Sequence, residues 1–322
     1  VTDSAPPREA SAGLSAPARI WRHMRALWPR WTLLPPAPFV LWPLYCFSRG
    51  EYGRWELWGL LFFGLFVPYW NARTKKLYVG IAPLALVGPV YDAMRFIQNL
   101  GITPERVHVC DLRAIDVRFF GFGVTGPDGL PGTLHDWTQA HATLPMDVFF
   151  AIPYGTFLEA AILIGIFLYV RDYPAMRKFT MSFFLLNVFG FCTYHVYPAA
   201  PPWWFHAHGC AVDLTAKASE GPNLARVDAF FGIHYFGGFY GRSHDVFGAV
   251  PSLHVAYPLL ILLCGWRSFR PWMRAASFFF FVWMCCAAVY LDHHWVFDVM
   301  LGITYTLVVV GALTWLERRR AA

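Results

Sequence analysis

His294 and Asp298 stand four residues apart in a strongly apolar part of the chain, a spacing that puts both on one face of a helix about one turn apart. A carboxylate at that offset can accept a hydrogen bond from one imidazole nitrogen. The tautomer is then fixed, the other nitrogen keeps its lone pair for attack, and the cation formed afterwards is stabilised. The same spacing also describes a helix-start histidine with a capping Asp. His254 opens another apolar run in Gly-Ala-Val-Pro-Ser-Leu-His (248–254). Ser252, after Pro251, is a candidate N-cap that puts His254 in the first turn, and Asp292 is placed to cap the last run in the same way. Two histidines at helix N-termini suit phosphate chemistry: a helix start attracts anions and disfavours imidazolium, so a nucleophilic histidine stays neutral.

Other polar groups near these runs extend the set. Asp92 and Arg95 are three apart; they neutralise each other, or Arg95 holds a phosphate that Asp92 helps to position. Arg242, in Tyr-Gly-Arg-Ser-His (240–244), is a second candidate phosphate clamp or a solvated loop residue. His293 and Ser252 complete the candidate substrate-binding residues. Asp292, His293, His294 and Asp298 also offer donors to a metal, but consecutive histidines diverge on a helix and no further Cys or His completes a standard spacing.

These residues must be held by a membrane protein. Of 322 residues 57% are apolar and only 14% carry Asp, Glu, Lys or Arg, against roughly 25% charged in soluble domains. With a mean hydropathy of +0.41, this excludes disordered, coiled-coil and soluble nucleic-acid-binding classes. A helical span needs about 20 mostly apolar residues, and eight candidates occur at 32–48, 55–71, 77–97, 148–170, 179–197, 252–267, 274–291 and 295–316. A six-span reading drops the first two. Alternating topology places 17 of the 26 Lys and Arg on one side, in short loops and tails, so both termini are expected in the cytoplasm. Of twelve histidines only His23 falls on that side. The chemistry is therefore expected on the outer face, in and around the long loops 98–147 and 198–251.

The expected organisation is a disordered tail and a basic interfacial helix over 1–30, an accessory hairpin over 31–76, a catalytic membrane core over 77–316 and a basic tail over 317–322. Cys110 and Cys210 both lie in outer loops, where they either pair or remain free thiols. Trp203 and Trp204 are expected at the interface or lining a headgroup pocket.

Three segments carry a resemblance: Tyr-Pro-Ala-Ala-Pro-Pro-Trp-Trp (197–204), Phe-Gly-Ala-Val-Pro-Ser-Leu-His (247–254) and Tyr-Leu-Asp-His-His-Trp-Val-Phe-Asp (290–298). Their order and spacing resemble the type-2 phosphatidic acid phosphatase superfamily, and within it the inositolphosphotransferase branch of inositol phosphorylceramide synthases. The resemblance covers roughly 77–316. It implies an all-α, six-helix catalytic core and metal-free, cofactor-free chemistry on a lipid phosphodiester. His294 would be nucleophile, Asp298 its orienter and His254 the general acid and base. The donor would be a phospholipid such as phosphatidylinositol, and the acceptor a lipid alcohol such as ceramide. With water as acceptor the same groups would make a lipid phosphatase. A non-enzymatic lipid-binding protein is the third reading. The chain departs from the superfamily pattern in lacking its first signature, a Lys followed by Arg-Pro, and in having Ala287-Ala288 where Ser-Arg is usual. Fewer cations suit a singly charged phosphodiester better than a dianionic phosphomonoester, which favours transfer over phosphatase chemistry.

Overall fold

The computed structural model describes residues 15–321 apart from 98, 99, 122, 127, 128, 130, 244 and 245. Residues 1–14 of the expected tail, and His244, lie outside the described residues. The chain divides into two compact units, 1–89 and 90–322. Among the described residues all regular structure is helical, with three isolated bridges and no strand.

In the first unit, α1 (Ala16–Leu27) is the expected basic amphipathic helix. It buries no residue, and it leaves Ile20 and Trp21 exposed. The Trp28 indole donates to the Pro68 carbonyl at 3.0 Å, and Lys75 lies over the Trp28 ring. The helices α2 (Ala37–Ser48) and α3 (Trp55–Leu65) form a hairpin around Cys46, Phe47 and Leu57. α4 (Ala72–Met94) follows, carrying Pro83 and Pro89.

The second unit is built from α5 (Cys110–Phe120), α6 (Leu134–Ala140), α7 (Leu144–Arg171), α8 (Tyr173–Val196), α9 (Pro202–His208), α10 (Gly221–Phe231), α11 (Tyr235–Tyr240), α12 (Leu253–Gly265), α13 (Pro271–Tyr290) and α14 (Val296–Ala321). Five helices, α4, α7, α8, α13 and α14, are long and apolar enough to cross a membrane; α2, α3 and α12 are apolar but shorter. All eight fall on the expected apolar runs. α12 packs against α7, α8, α13 and α14, which is why its residues are apolar on every side and almost all buried.

Local signals place the ends. Pro stands in the first turn of α7, α8, α9 and α13, where its missing N–H costs nothing. Thr133 and Asp136 close a reciprocal capping box on α6. Three loop segments lie side by side through main-chain bonds: His108 to Pro198 and Ala200, and Ala199 to Phe247 and Ala249. A disulfide between Cys110 and Cys210, 100 residues apart, ties the start of α5 to the loop just after α9.

Candidate active site

The site forms where the N-termini of α12 and α14 meet. Ser252 is fully buried and caps α12 by accepting from the Val255 N–H at 3.4 Å, as its position after Pro251 predicts. Its own N–H donates to the Asp298 carbonyl at 3.1 Å. A Cβ on Gly302 would stand 2.3 Å from the Ser252 carbonyl oxygen, so only glycine lets α14 approach the α12 cap this closely.

The α14 helix begins at Val296, three residues later than an Asp292 cap requires. His294 therefore sits in the preceding turn, and Asp292, which has a left-handed φ of 65°, does not cap the helix. Asp116 does so instead, accepting from the Val296 and Phe297 N–H groups at 3.0 and 3.2 Å. This displacement changes the expected His–Asp pair. His294 Nδ1 donates to the Ala249 carbonyl at 2.9 Å, while the nearest Asp298 oxygen lies 3.7 Å away and accepts from the Trp295 N–H at 3.0 Å. A carbonyl can only accept, so Nδ1 carries the hydrogen and Nε2 keeps its lone pair. A main-chain carbonyl fixes the tautomer, and an Asp298 oxygen stands on the same side of the ring, beyond hydrogen-bond distance.

His294 Nε2 faces His254 Nδ1 at 3.0 Å, which brings the two motif histidines together. His294 is 4% exposed. Burial pushes its imidazole down to about 4, the Ala249 carbonyl opposing and His135 adding to the effect, so it is neutral at pH 7. His254 is flanked by the Tyr154 ring, stacked at 4.6 Å between centroids, and by Phe157 at 5.0 Å. The pair offers an uncharged nucleophilic nitrogen beside a second imidazole that can carry a proton.

The remaining predicted residues divide. His293 donates through Nε2 to the Glu220 carbonyl at 2.7 Å and packs on Tyr154 and Tyr240; burial pushes it down to about 4. Asp92 and Arg95 pair at 3.4 Å. Arg242 is exposed. Among the described residues no hydrogen bond or ion pair joins Asp92, Arg95 or Arg242 to the three histidines. Nor do three His, Cys, Asp or Glu donors converge as a metal site would require.

Beside the site runs a buried chain of acids and imidazoles that the sequence reading missed. Asp116 lies 3.6 Å from His135 Nε2, and His135 Nδ1 lies 3.2 Å from Asp292 Oδ1. The other Asp292 oxygen meets His206 Nδ1 at 2.6 Å, and His206 Nε2 meets Asp136 at 3.0 Å. Asp136 in turn accepts from the Thr133 N–H at 2.6 Å and pairs with Arg113 at 3.5 Å. His135, Asp292 and Asp116 are at most 1% exposed. Burial opposes charge on His135 and His206, yet the carboxylates on either side outweigh it, raising His135 to about 9 and His206 to about 10. Burial likewise works against the Asp136 charge, but His206 and Thr133 hold it down at about 2; His135 and His206 also hold Asp292 below the ordinary range. Each oxygen of Asp292, the residue before His293, thus faces an imidazole ring that its carboxylate favours as a cation, hydrogen-bonded on the His206 side and at ion-pair distance on the His135 side. The only sequence hint was the crowding of histidine in the outer loops.

A second buried anchor supports this side. Asp147, at the start of α7, takes Arg226 of α10 through two nitrogens at 2.8 and 3.1 Å and the Tyr290 hydroxyl at 3.0 Å.

Residues 130–312 match the PAP2 superfamily. The chain is 33% identical over 239 residues to the phosphoinositol dihydroceramide synthase of Bacteroides thetaiotaomicron, covering 73% of this chain and 76% of that protein. It is 28% identical to the inositol phosphorylceramide synthase catalytic subunit of Schizosaccharomyces pombe, covering 81% of this chain and 58% of the relative. For the Saccharomyces cerevisiae catalytic subunit the identity is 29%, over 85% of this chain and 62% of the relative. The chain therefore spans about three quarters of the bacterial relative and about three fifths of the two yeast ones. No solved structure matches it.

Proposed function

Because this chain belongs to the PAP2 superfamily, we propose that it is a membrane phosphotransferase moving phosphoinositol from phosphatidylinositol to a ceramide-type lipid alcohol. The observation that carries the chemistry is the 3.0 Å approach of His254 Nδ1 to His294 Nε2, with the far nitrogen of His294 tied to the Ala249 carbonyl. The donor's phosphorus enters between these nitrogens. His294 Nε2 attacks it while the bond to the diacylglycerol oxygen breaks, and protonated His254 gives its Nδ1 proton to that oxygen. Diacylglycerol leaves, and phosphoinositol remains on a cationic His294 that the Ala249 carbonyl and the Asp298 carboxylate stabilise. His254 then takes the proton of the acceptor hydroxyl, whose oxygen attacks phosphorus. The N–P bond breaks and both histidines return to their starting states.

In this reading all eight apolar helices span the bilayer. Residues 31–76 form the accessory hairpin, and the six-helix core is α4, α7, α8, α12, α13 and α14. The basic loops and both termini face the cytoplasm, and the site opens on the opposite face. The Cys110–Cys210 disulfide fits an oxidising outer compartment.

Purified protein in detergent, given headgroup-labelled phosphatidylinositol with and without dihydroceramide, tests the proposal. Label moving into a new lipid only when the acceptor is present supports transfer. Water-soluble label released regardless of acceptor would establish a hydrolase instead. His294→Ala should abolish turnover in a protein that still elutes as the wild type does; near-normal activity would remove the histidine mechanism.

A further inference from the structure

His254 has two nitrogens, and the mechanism uses only Nδ1. Its Nε2 faces the Tyr240 hydroxyl at 3.0 Å. Tyr240 is the last residue of α11, and its ring packs on His293 at 5.1 Å. We propose that Tyr240 is the positioning residue of the general acid and base, holding His254 so that Nδ1 alone exchanges protons with the substrates. The inference rests on the histidine mechanism above and adds to it the group that decides which nitrogen of His254 works.

Before phosphorus arrives, His294 Nε2 is a lone pair, so His254 Nδ1 must carry the hydrogen that fills the 3.0 Å gap between them. If His254 is neutral at that stage, its Nε2 is a bare acceptor and the Tyr240 hydroxyl donates to it. As a cation, ready to act as acid, His254 carries a hydrogen on Nε2 as well, and Tyr240 turns its own hydrogen away and accepts. Once the Nδ1 proton has passed to the departing diacylglycerol oxygen, His254 is neutral with its hydrogen on Nε2, and Tyr240 still accepts. A hydroxyl serves all three states because it both donates and accepts and its hydrogen rotates. A carboxylate could only accept, and it would hold the cation too firmly to release a proton readily.

The surroundings of His254 leave this role to Tyr240. From α7 it meets Tyr154, whose ring stacks on it and whose hydroxyl has no hydrogen-bond partner among the described residues. From the turn before α14 it meets His294 and, edge-on, His293, with Asp298 beyond them. On α8, Tyr194 donates to the Pro251 carbonyl, and α13 carries the half-buried Cys285. Tyr257, one turn along α12, is bound to Asn187. Tyr240 is the group placed to bond Nε2.

The test is Tyr240→Phe, which keeps the ring on His293 and removes the hydroxyl. Without an acceptor for Nε2–H the cation loses a charge-assisted bond, typically worth more than a neutral one. The expected result is kcat for transfer falling about 10- to 100-fold, with KM for both lipids within about twofold because no substrate contact is lost. The basic limb of the kcat–pH profile should move to lower pH by about one unit. Unchanged kcat with an unmoved limb overturns the proposal, and so does a rise in KM alone. If the Phe variant does not fold, 3-fluorotyrosine at position 240 keeps the hydroxyl and reports by 19F resonance. Its shift should titrate with the basic limb of kcat and stop titrating in His254→Gln; a shift indifferent to His254 overturns the role. Failure of the mechanism itself is separate: it shows as turnover surviving His294→Ala, whatever Tyr240→Phe does.

Discussion

Asp292→Asn removes one negative charge from between two imidazolium rings and leaves the backbone undisturbed, since Asn tolerates the left-handed conformation that Asp292 adopts. In the wild-type protein each Asp292 oxygen faces one ring, His135 at 3.2 Å and His206 at 2.6 Å. Raising His135 from its ordinary 6.5 to about 9, the joint effect of Asp116 and Asp292, corresponds to stabilisation on the order of 3 kcal/mol shared between the two carboxylates. Removing one partner of a buried pair costs about 3–5 kcal/mol, so the two arguments agree. The sign of the pH dependence follows from the direction of the shifts. Histidines whose folded pKa is raised contribute fully below about 6.5, contribute less as pH rises, and contribute nothing once pH passes the folded values of about 9 and 10. The difference between wild type and Asp292→Asn should therefore be largest near pH 6 and vanish near pH 10. Apparent melting in detergent, followed by fluorescence-detected size exclusion at both pH values, measures this. A gap on the order of 10 °C is expected at pH 6. Equal gaps at the two pH values would refute the reasoning, because Asp292 would then be holding neutral rings by ordinary hydrogen bonds.

Three further outcomes follow from the packing. Gly302→Ala pushes a methyl against the Ser252 carbonyl, where 2.3 Å is available. The α12 cap must shift by about 1 Å, so turnover should fall about 100-fold while the protein still folds; unaltered turnover would mean that the helix starts need not be this close. Cys110→Ser opens a loop of 100 residues and should cost about 4–5 kcal/mol by chain entropy, read as a lower apparent melting temperature that reductant reproduces in the wild type. Arg226→Ala leaves Asp147 buried without its guanidinium. Because the Arg226 side chain is 45% exposed, the loss should be only about 1–2 kcal/mol, measured by thermal melting, with Arg226→Lys recovering part of it.

The apolar helices were legible because an apolar run of sufficient length has few alternatives to a helix: each of the eight runs holds an apolar helix, five of them long enough to cross a membrane. The motifs of His254 and His294 single out two histidines that the structure places side by side. The Asp298 relation was legible only in part: His294 in the first turn of the last helix implies a one-turn His–Asp hydrogen bond, but α14 starts at Val296 and the Ala249 carbonyl, 45 residues upstream, accepts the Nδ1 hydrogen bond. A main-chain carbonyl has no signature in residue types. The acid–imidazole chain was hidden for a related reason. Asp116, His135, Asp136, His206 and Asp292 come from three short helices and a turn, and no spacing between distant residues encodes their meeting. Tyr240 was one of many tyrosines until the structure set its hydroxyl against His254.

The same geometry bears on why such a site should transfer rather than hydrolyse. In the proposed mechanism the two reacting nitrogens lie among Tyr154, Phe157 and Tyr240, with His293 and His294 only 6% and 4% exposed. No Lys or Arg hydrogen-bonds to either nucleophile or acid among the described residues, so a dianionic monoester would enter almost uncompensated. A monoanionic diester asks for less, and one proton from His254 neutralises the charge that develops on its leaving oxygen. On the proposed mechanism, phosphoinositol held on His294 would meet whichever hydroxyl reaches His254 first. In a site walled by aromatic rings, bulk water does not have free access, and an alcohol delivered with its own hydrocarbon chains is aided by their burial. Transfer is then favoured by exclusion: the acceptor is chosen less by a polar contact than by which hydroxyl can enter an apolar site.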